Sequence, residues 1–324
     1  MTNEISTTAT LEAKVDDILH RFGLDFLIEM IPMVGKREVK VESNPDTMIG
    51  MFEELIDKTE TVDIESDYFG LLNAKTGEII NTVKSGYTVT QNREILLNIM
   101  KGIAPYGNKL EVHSAVALNG GRKILVQLKI TGDAQVGHDT VEKFITIIDS
   151  NDGSTGMGIG IGDRTKSCDN QFFYFYKDSK ARFRHSASIK NEVANLPNLI
   201  VMALTESDNM INHYKRFVEV PIGDAEKHEM VLRVVGCNQL MSDIEMEDVS
   251  TVKKNRMTEL YGHIARECYD KGNNVWGLHS GVTYWTTHYK GAPKRDNGRL
   301  ESIVIGGNYK TNQVSLAYAI ELAS

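Results

Sequence analysis

The sequence has few cysteines, no long apolar run and no excess of positive charge. Its three cysteines, Cys168, Cys237 and Cys268, lie far apart, which argues against a disulfide framework and against paired metal ligands. No segment approaches the roughly 20 apolar residues that span a membrane. The polar, acidic N-terminus is not typical of a secretory signal. These absences predict a protein of a reducing cytoplasm that is not embedded in a membrane.

Negative charge predominates in the chain, but it is unevenly distributed. The formal net charge of the 324 residues is −8, which does not favour nucleic-acid binding by the protein as a whole, because phosphate binding uses Lys and Arg. Residues 171–190, "QFFYFYKDSKARFRHSASIK", carry five basic residues and one acidic residue, a net of +4, so the remainder carries −12. This asymmetry indicates a local anion site. The alternative is a chance excess of charge on a solvated face.

The order of predicted elements favours an α+β fold. Residues 1–9 show no apolar periodicity and are predicted to lack regular structure, and residues 47–58 are predicted to be helical. A hairpin is predicted over 68–83, and a second over 109–131 is marked by an Asn-Gly-Gly turn, with two more strands after it. Residues 186–220 are predicted to form a long helix.

These elements predict a central antiparallel sheet of β-hairpins, with the long helix packed across it and helical additions at both ends. Pro197 is expected to kink or break the long helix. We divide the chain into a helical extension, residues 1–67, and a core domain, residues 68–324. In "MGIGIG" (157–162) the glycines alternate with apolar residues, so one face of that strand lacks side chains and a large group can approach it closely.

The basic and aromatic stretch suggests a surface for single-stranded nucleic acid. Single-strand binders combine cations that neutralise phosphates with aromatic rings on which bases stack. Arg182 and Arg184 are two residues apart, so on an extended segment they point the same way. The predicted phosphate contacts are Arg122, Lys123, Arg164, Lys166, Lys180, Arg182 and Arg184. The predicted stacking residues are Tyr174 and Tyr176. The competing interpretation is that the aromatic residues belong to the core.

An enzyme is a further alternative. Asp149 and Asp152, in "DSNDGS", could hold Mg²⁺ after a strand, although an Asp-Gly turn explains the same residues. His263 and Glu267 share a helix face, but no further residues are spaced to complete a zinc site. Cys168 is expected to be a half-buried structural residue, unless nearby cations lower its pKa. Since no catalytic spacing is recognised, a binding protein that needs no cofactor is favoured over an enzyme.

Four short strings, in order over residues 68–315, resemble a family of phage and plasmid proteins, the domain-of-unknown-function family 932. They contribute Tyr87, Gln91, Asn92 and Glu94; then Asp152, Gly153 and Ser154; then Arg164, Cys168 and Asn170; and finally Trp276, Thr283, His288, Arg299, Ser302, Gly306 and Gly307. Asn151 stands where the family usually has His. The resemblance implies a mobile-element origin and a host cytoplasm, and it transfers no active site.

The order of helix, hairpin, further strands and long helix is also similar to the core of the Rad52-like single-strand annealing proteins, which form rings around a basic groove. This likeness concerns element order alone. Together these observations predict a phage or plasmid DNA-metabolism protein that binds single-stranded DNA, forms homo-oligomers and anneals strands. The alternatives are a protein that binds a host protein, in counter-defence or regulation, and a metal-dependent enzyme that uses Asp149 and Asp152.

Overall fold

The computed structural model describes residues 2–40, 59–175, 182–236, 249–294 and 296–324. The strands in these ranges are β1 Ile28–Lys40, β2 Thr59–Asn73, β3 Glu78–Lys84, β4 Leu110–Leu118, β5 Lys123–Val136, β6 Asp139–Ser150, β7 Met157–Thr165, β8 Gln171–Phe175 and β9 Arg182–Phe183. The α-helices are α1 Thr2–Arg21, α2 Asn92–Ile103, α3 Ile189–Ala194, α4 Leu196–Glu219, α5 Asp224–Val235, α6 Thr251–Lys271, α7 Val275–Tyr284, α8 Gly298–Val304 and α9 Gly307–Leu322.

Two antiparallel sheets organise these elements. The smaller has the order β1-β2-β3, and the larger runs β4-β5-β6-β7-β8, with β9 pairing to β7 beside β8. Local turn signals explain the hairpins, since Gly77 and the Asn119–Gly121 turn all adopt positive φ angles that favour Gly and Asn. The predicted α+β fold with a central antiparallel sheet is therefore confirmed.

Alternating side chains bury both faces of the larger sheet. On one face, residues such as Ile124, Ile147 and Ile159 join the main core, against which α4 packs across β5, β6 and β7. On the other face, Leu125 and Ile148 pack in a smaller cluster with residues of α8. The long helix and the helical ends thus lie where the sequence predicted.

The glycine face of β7 is covered from within the sheet. A Cβ at Gly162 would come within 2.8 Å of ring atoms of Phe173, the residue paired with it on β8. Phe172 and Phe173 are 5% and 2% exposed, on opposite faces, so this part of the aromatic run belongs to the core. At Gly162, the large group expected against the glycine face is therefore the protein's own Phe173.

Two predictions about elements need revision. Helix α1 begins at Thr2, so residues 2–9 are helical although their sequence lacks an apolar stripe; the buried stripe, with Val15, Ile18 and Leu19, lies further along the same helix. The boundary at 67/68 falls inside β2, and the predicted helical extension also contains β1. The predicted break near Pro197 is confirmed, since the long segment divides into α3 and α4 with Pro197 in the first turn of α4. The helix predicted over 47–58 lies outside the described residues.

Candidate nucleic-acid interface

Arg182 and Arg184 lie on a short extended segment at one end of the larger sheet. Arg182 pairs with Gly158 and Phe183 with Met157, at the start of β7. Both arginines are exposed, whereas Phe183 between them is half-buried against the main core. Because alternate residues of an extended segment face opposite sides, burial of Phe183 directs both arginines outward. Their predicted common orientation agrees with this pattern of exposure.

The next residue, His185, anchors this segment to the sheet. Its Nδ1 lies 3.1 Å from the carbonyl oxygen of Thr88, and its Nε2 lies 3.0 Å from Oδ1 of Asp149. The imidazole stacks on the ring of Tyr87 with 4.8 Å between centroids and an interplanar angle of 4°. The buried carboxylate of Asp149 also accepts a 2.7 Å hydrogen bond from the hydroxyl of Thr90. The position of the two arginines therefore depends on a buried His–Asp pair.

Both groups that face the His185 ring carry acceptor oxygens, an arrangement that favours the imidazolium, because only that form carries a proton on each ring nitrogen. Burial lowers the pKa of His185, but the hydrogen bond and charge of Asp149 outweigh burial, and the pKa is raised above its usual value of 6.5. A raised folded-state pKa contributes stability that is fully present below the unfolded pKa and is lost as pH rises through the folded pKa. The His–Asp pair thus stabilises the fold below about pH 6.5.

We expect His185→Gln to lower the free energy of unfolding by about 1.5–3 kcal/mol below pH 6.5, the usual worth of a hydrogen bond to a charged group. The difference between wild type and variant should shrink as pH rises above that value. Urea unfolding of both proteins at a series of pH values measures this difference in the free energy of unfolding. A difference that grows with pH would show that His185 is neutral in the folded protein.

A cavity of about 420 Å³ opens beside Arg182. Lys310 of α9 also lines it; this residue is exposed and forms no ion pair with the described residues. Ser154, Thr155 and Ser302, which carry hydroxyl groups, also line the cavity, as do Glu301 and the two glycines at the start of α9, Gly306 and Gly307. We define the Arg182 surface as this cavity, which Arg182 and Lys310 line, together with the exposed Arg184 two residues further along the same segment. Cations and hydroxyl donors together suit an oxyanion such as phosphate.

Lys123 also lines this cavity, although it is only 5% exposed. Its Nζ lies 2.7 Å from Oδ2 of Asp152 and 2.8 Å from Oε1 of Glu301. Burial lowers the pKa of Lys123, but hydrogen bonds to the two carboxylates outweigh it and raise the pKa. For Asp152, burial raises the pKa, yet hydrogen bonds from Lys123, Ser150 and Ser154 bring it down to about 2. The charge of Lys123 is therefore balanced inside the protein before any ligand arrives.

The other predicted phosphate contacts are not brought together with Arg182. Arg164 lies near the far end of β7 and Lys166 directly follows that strand, so both are about 20 Å or more from Gly158 at the usual strand rise. Nη2 of Arg164 lies 2.5 Å from Glu142, and Nζ of Lys166 lies 2.6 Å from Asp133. Arg122 is near the cavity end but donates a 2.7 Å hydrogen bond to the carbonyl oxygen of Ile80. A single track through all of these cations is thus not observed, and their contact with DNA stays a prediction.

The aromatic candidates are only partly described. Tyr174 is half-buried against the main core. Tyr176 and Lys180 lie outside the described residues. The stacking role of the two tyrosines remains a prediction.

Asp149 and Asp152 do not converge on a common point. Asp149 faces His185 and Thr90, whereas Asp152 faces Lys123 and the hydroxyl of Ser150. Within the described ranges, no group of three or more His, Cys, Asp and Glu side chains could hold a metal ion. Each carboxylate is thus already engaged by the protein's own donors.

Several of the strings noted in the sequence meet at this end of the molecule. The hydroxyl of Tyr87 donates a 3.0 Å hydrogen bond to Oδ1 of Asn151, and Asp152 reaches Glu301 through Lys123. The family model described as Domain of unknown function (DUF932) matches residues 79–306, well over half of the chain. The chain belongs to the DUF932 family. No curated protein and no solved structure matches this DUF932 chain, so its likeness to Rad52-like proteins stays a prediction from element order.

Sequence reasoning missed Lys310 and the His185–Asp149 pair. Lys310 reaches the cavity only because α9 returns to the sheet, and no local pattern announces that. His185 had a weaker signal: it directly follows the two arginines, and Asp149 was already noted as a strand-end carboxylate.

Among the described residues, no helix is both long enough and apolar enough to cross a membrane.

Proposed function

We propose that this DUF932 protein binds single-stranded DNA at the Arg182 surface. The observation that carries the proposal is that Arg182 and Lys310 line one cavity, while the exposed Arg184 lies two residues from Arg182 on the same extended segment. Exposed guanidinium groups two residues apart can contact successive phosphates of one strand, and guanidinium geometry suits phosphate oxygens. Following the family resemblance, we place this activity in the host cytoplasm of a phage or plasmid, with no cofactor required.

The proposal can be tested by the salt dependence of DNA binding. Three phosphate contacts by Arg182, Arg184 and Lys310 predict a slope of about −2 in log affinity against log salt for a single strand. Raising salt from about 50 to about 200 mM should then weaken binding roughly 20-fold. Fluorescence anisotropy of a labelled oligonucleotide measures both quantities. Affinity no tighter than about millimolar at low salt, or affinity indifferent to salt, would exclude the proposal.

Annealing by an oligomer is the second part of the proposal, and the ribbon formed by β1 and β2 supports it. Beyond Tyr68, β3 no longer accompanies β2, so among the described residues the outer part of this ribbon consists of β1 and β2. Val39, Val62 and Ile64 share one face of the ribbon and are 42%, 48% and 48% exposed. Two-stranded ribbons are marginally stable alone, and exposed strand edges pair readily with other chains.

The two edges of the ribbon also differ in charge. Residues 34–40 of β1 carry a net +2, and residues 59–67 of β2 carry a net −4. A head-to-tail contact between copies would place opposite charges together, and head-to-tail contacts can close into rings. We therefore take a second copy of the chain to be the partner of the ribbon.

We expect the wild-type protein to sediment as a species larger than a monomer, and Val62→Asp/Ile64→Asp to shift it to the monomer, because a contact that covers the exposed apolar face of the ribbon would then bury charge. Val201→Asp/Met202→Asp, at residues of α4 that are 48% and 47% exposed, is the matched control and should leave assembly unchanged. Sedimentation velocity over a range of concentrations measures this. A wild-type monomer at every concentration would exclude the oligomer while leaving DNA binding open.

A further inference from the structure

A second cavity, of about 550 Å³, lies near the other end of β7 and has no part in the proposed DNA surface. It lies between the segment after β7, the start of β6, the second half of α6 and the end of α7. We call it the Glu267 pocket. Its volume is within the range of pockets that bind small molecules.

The inner wall of this pocket is a rigid network of polar groups. Nζ of Lys271 lies 2.5 Å from Oδ2 of Asp139 and 3.5 Å from Sγ of Cys168. Asp139 also accepts a 2.8 Å hydrogen bond from the indole of Trp276 and a 2.6 Å hydrogen bond from Ser167. Burial raises the pKa of Cys168, so its thiol is not the activated nucleophile that neighbouring cations would produce.

Glu267 is the exception in this network. It is 3% exposed and lines the pocket, yet its Oε2 has no hydrogen-bond partner among the described residues. Nζ of Lys271 is 3.7 Å from that oxygen, beyond hydrogen-bond distance. Burial raises the pKa of Glu267, although the charge of Lys271 lowers it. A buried carboxylate oxygen without a donor is costly, and a ligand that donates a hydrogen bond would remove that cost.

Aromatic rings form part of the outer wall. Tyr284 and His288 have ring centroids 4.7 Å apart, and the guanidinium of Arg266 lies 5.3 Å from the centre of the Tyr284 ring. His288 belongs to a π-helical turn, Trp285–Tyr289, in which the N–H of Lys290 donates to the carbonyl oxygen of Trp285. Such turns inside helices are frequent at functional sites.

We propose that the Glu267 pocket binds a nucleobase, with its hydrogen-bonding edge against Glu267 and Lys271 and its ring beside Tyr284 and His288. Glu267 offers an acceptor and Lys271 a donor close together, and nucleobase edges carry a donor next to an acceptor. Bases also stack on aromatic side chains whatever their sequence. This site is separate from the Arg182 surface, so the inference goes beyond the proposed function. The base can belong to a free nucleotide or to a DNA strand.

Isothermal titration calorimetry of the full chain with the four deoxynucleoside monophosphates, and with a short single-stranded oligonucleotide, tests the proposal and separates the two sources. Glu267→Gln preserves shape but removes the charged acceptor, so it should weaken binding at least about ten-fold. His288→Ala, at an exposed residue, should weaken binding as well. Glu259→Gln, at an exposed residue of the same helix, is the matched control and should bind as wild type.

Saturable binding of mononucleotides that Glu267→Gln weakens identifies a free nucleotide as the ligand. If Glu267→Gln weakens binding of the oligonucleotide alone, the ligand is a base within a strand. Normal affinity for both ligands in Glu267→Gln and His288→Ala, or no binding of either ligand by wild type, would overturn the proposal. Charge reversal at Arg182 and Arg184 should leave mononucleotide binding intact, so failure of the DNA surface and failure of this pocket give different results.

Discussion

Replacing Lys123 by methionine should lower the free energy of unfolding by about 3–5 kcal/mol, the usual cost of removing one partner from a buried ion pair. The change leaves the carboxylates of Asp152 and Glu301 facing each other without the cation that separates them. Methionine fills nearly the same volume, so the loss reports charge rather than packing. Equilibrium unfolding in urea, read by circular dichroism, measures it.

Two further variants isolate the cause. Lys166→Met removes a lysine whose partner is Asp133 and whose side chain is 49% exposed, so it should cost no more than about 1 kcal/mol. Lys123→Met/Asp152→Asn/Glu301→Gln removes all three charges and should recover much of the loss, because no uncompensated charge remains buried. Equal losses in the two single lysine variants would show that the buried triad has no special role.

The elements with local signals were predictable from the sequence. The hairpins at 68–83 and 109–131 follow from turn residues that lie directly between alternating strands. The sequence suggested that aromatic residues of this run belong to the core, but not that Phe172 and Phe173 are buried on opposite faces. Phe173 packs with α8, which comes from the distant C-terminal part of the chain. The pairing of β1 with β2 was missed because its register depends on contacts between residues that are far apart in the sequence.

The candidate site was predictable to a lesser extent. Exposure of Arg182 and Arg184 follows from their spacing around a half-buried Phe183, a relation visible in the sequence. Neutralisation of Lys123 was not visible, since Glu301 is 178 residues away in the chain. A basic residue in a sequence gives no indication of its acidic neighbour, so counts of Lys and Arg overestimate the charge available to a phosphate.

Arg182→Glu/Arg184→Glu should weaken binding of single-stranded DNA by at least about 100-fold, since a hydrogen bond to a charged group is worth about 1.5–3 kcal/mol and two are removed. The slope of log affinity against log salt should also become smaller in magnitude, by about 0.7 for each phosphate contact that is lost. Both side chains are exposed, so the variant should keep the wild-type fold, and urea unfolding of both proteins checks this.

The most direct test of the proposed DNA surface compares this variant with Lys215→Glu/Arg216→Glu. That control makes the same change of charge at exposed residues of α4. Anisotropy titrations of one labelled oligonucleotide, at two salt concentrations, should show near-wild-type affinity and slope for the α4 variant. For Arg182→Glu/Arg184→Glu they should show affinity at least about 100-fold weaker and a slope smaller in magnitude by about 1.4. Equal losses in the two variants would show that overall charge, and not the Arg182 surface, determines binding, and undiminished binding in both would place the DNA elsewhere.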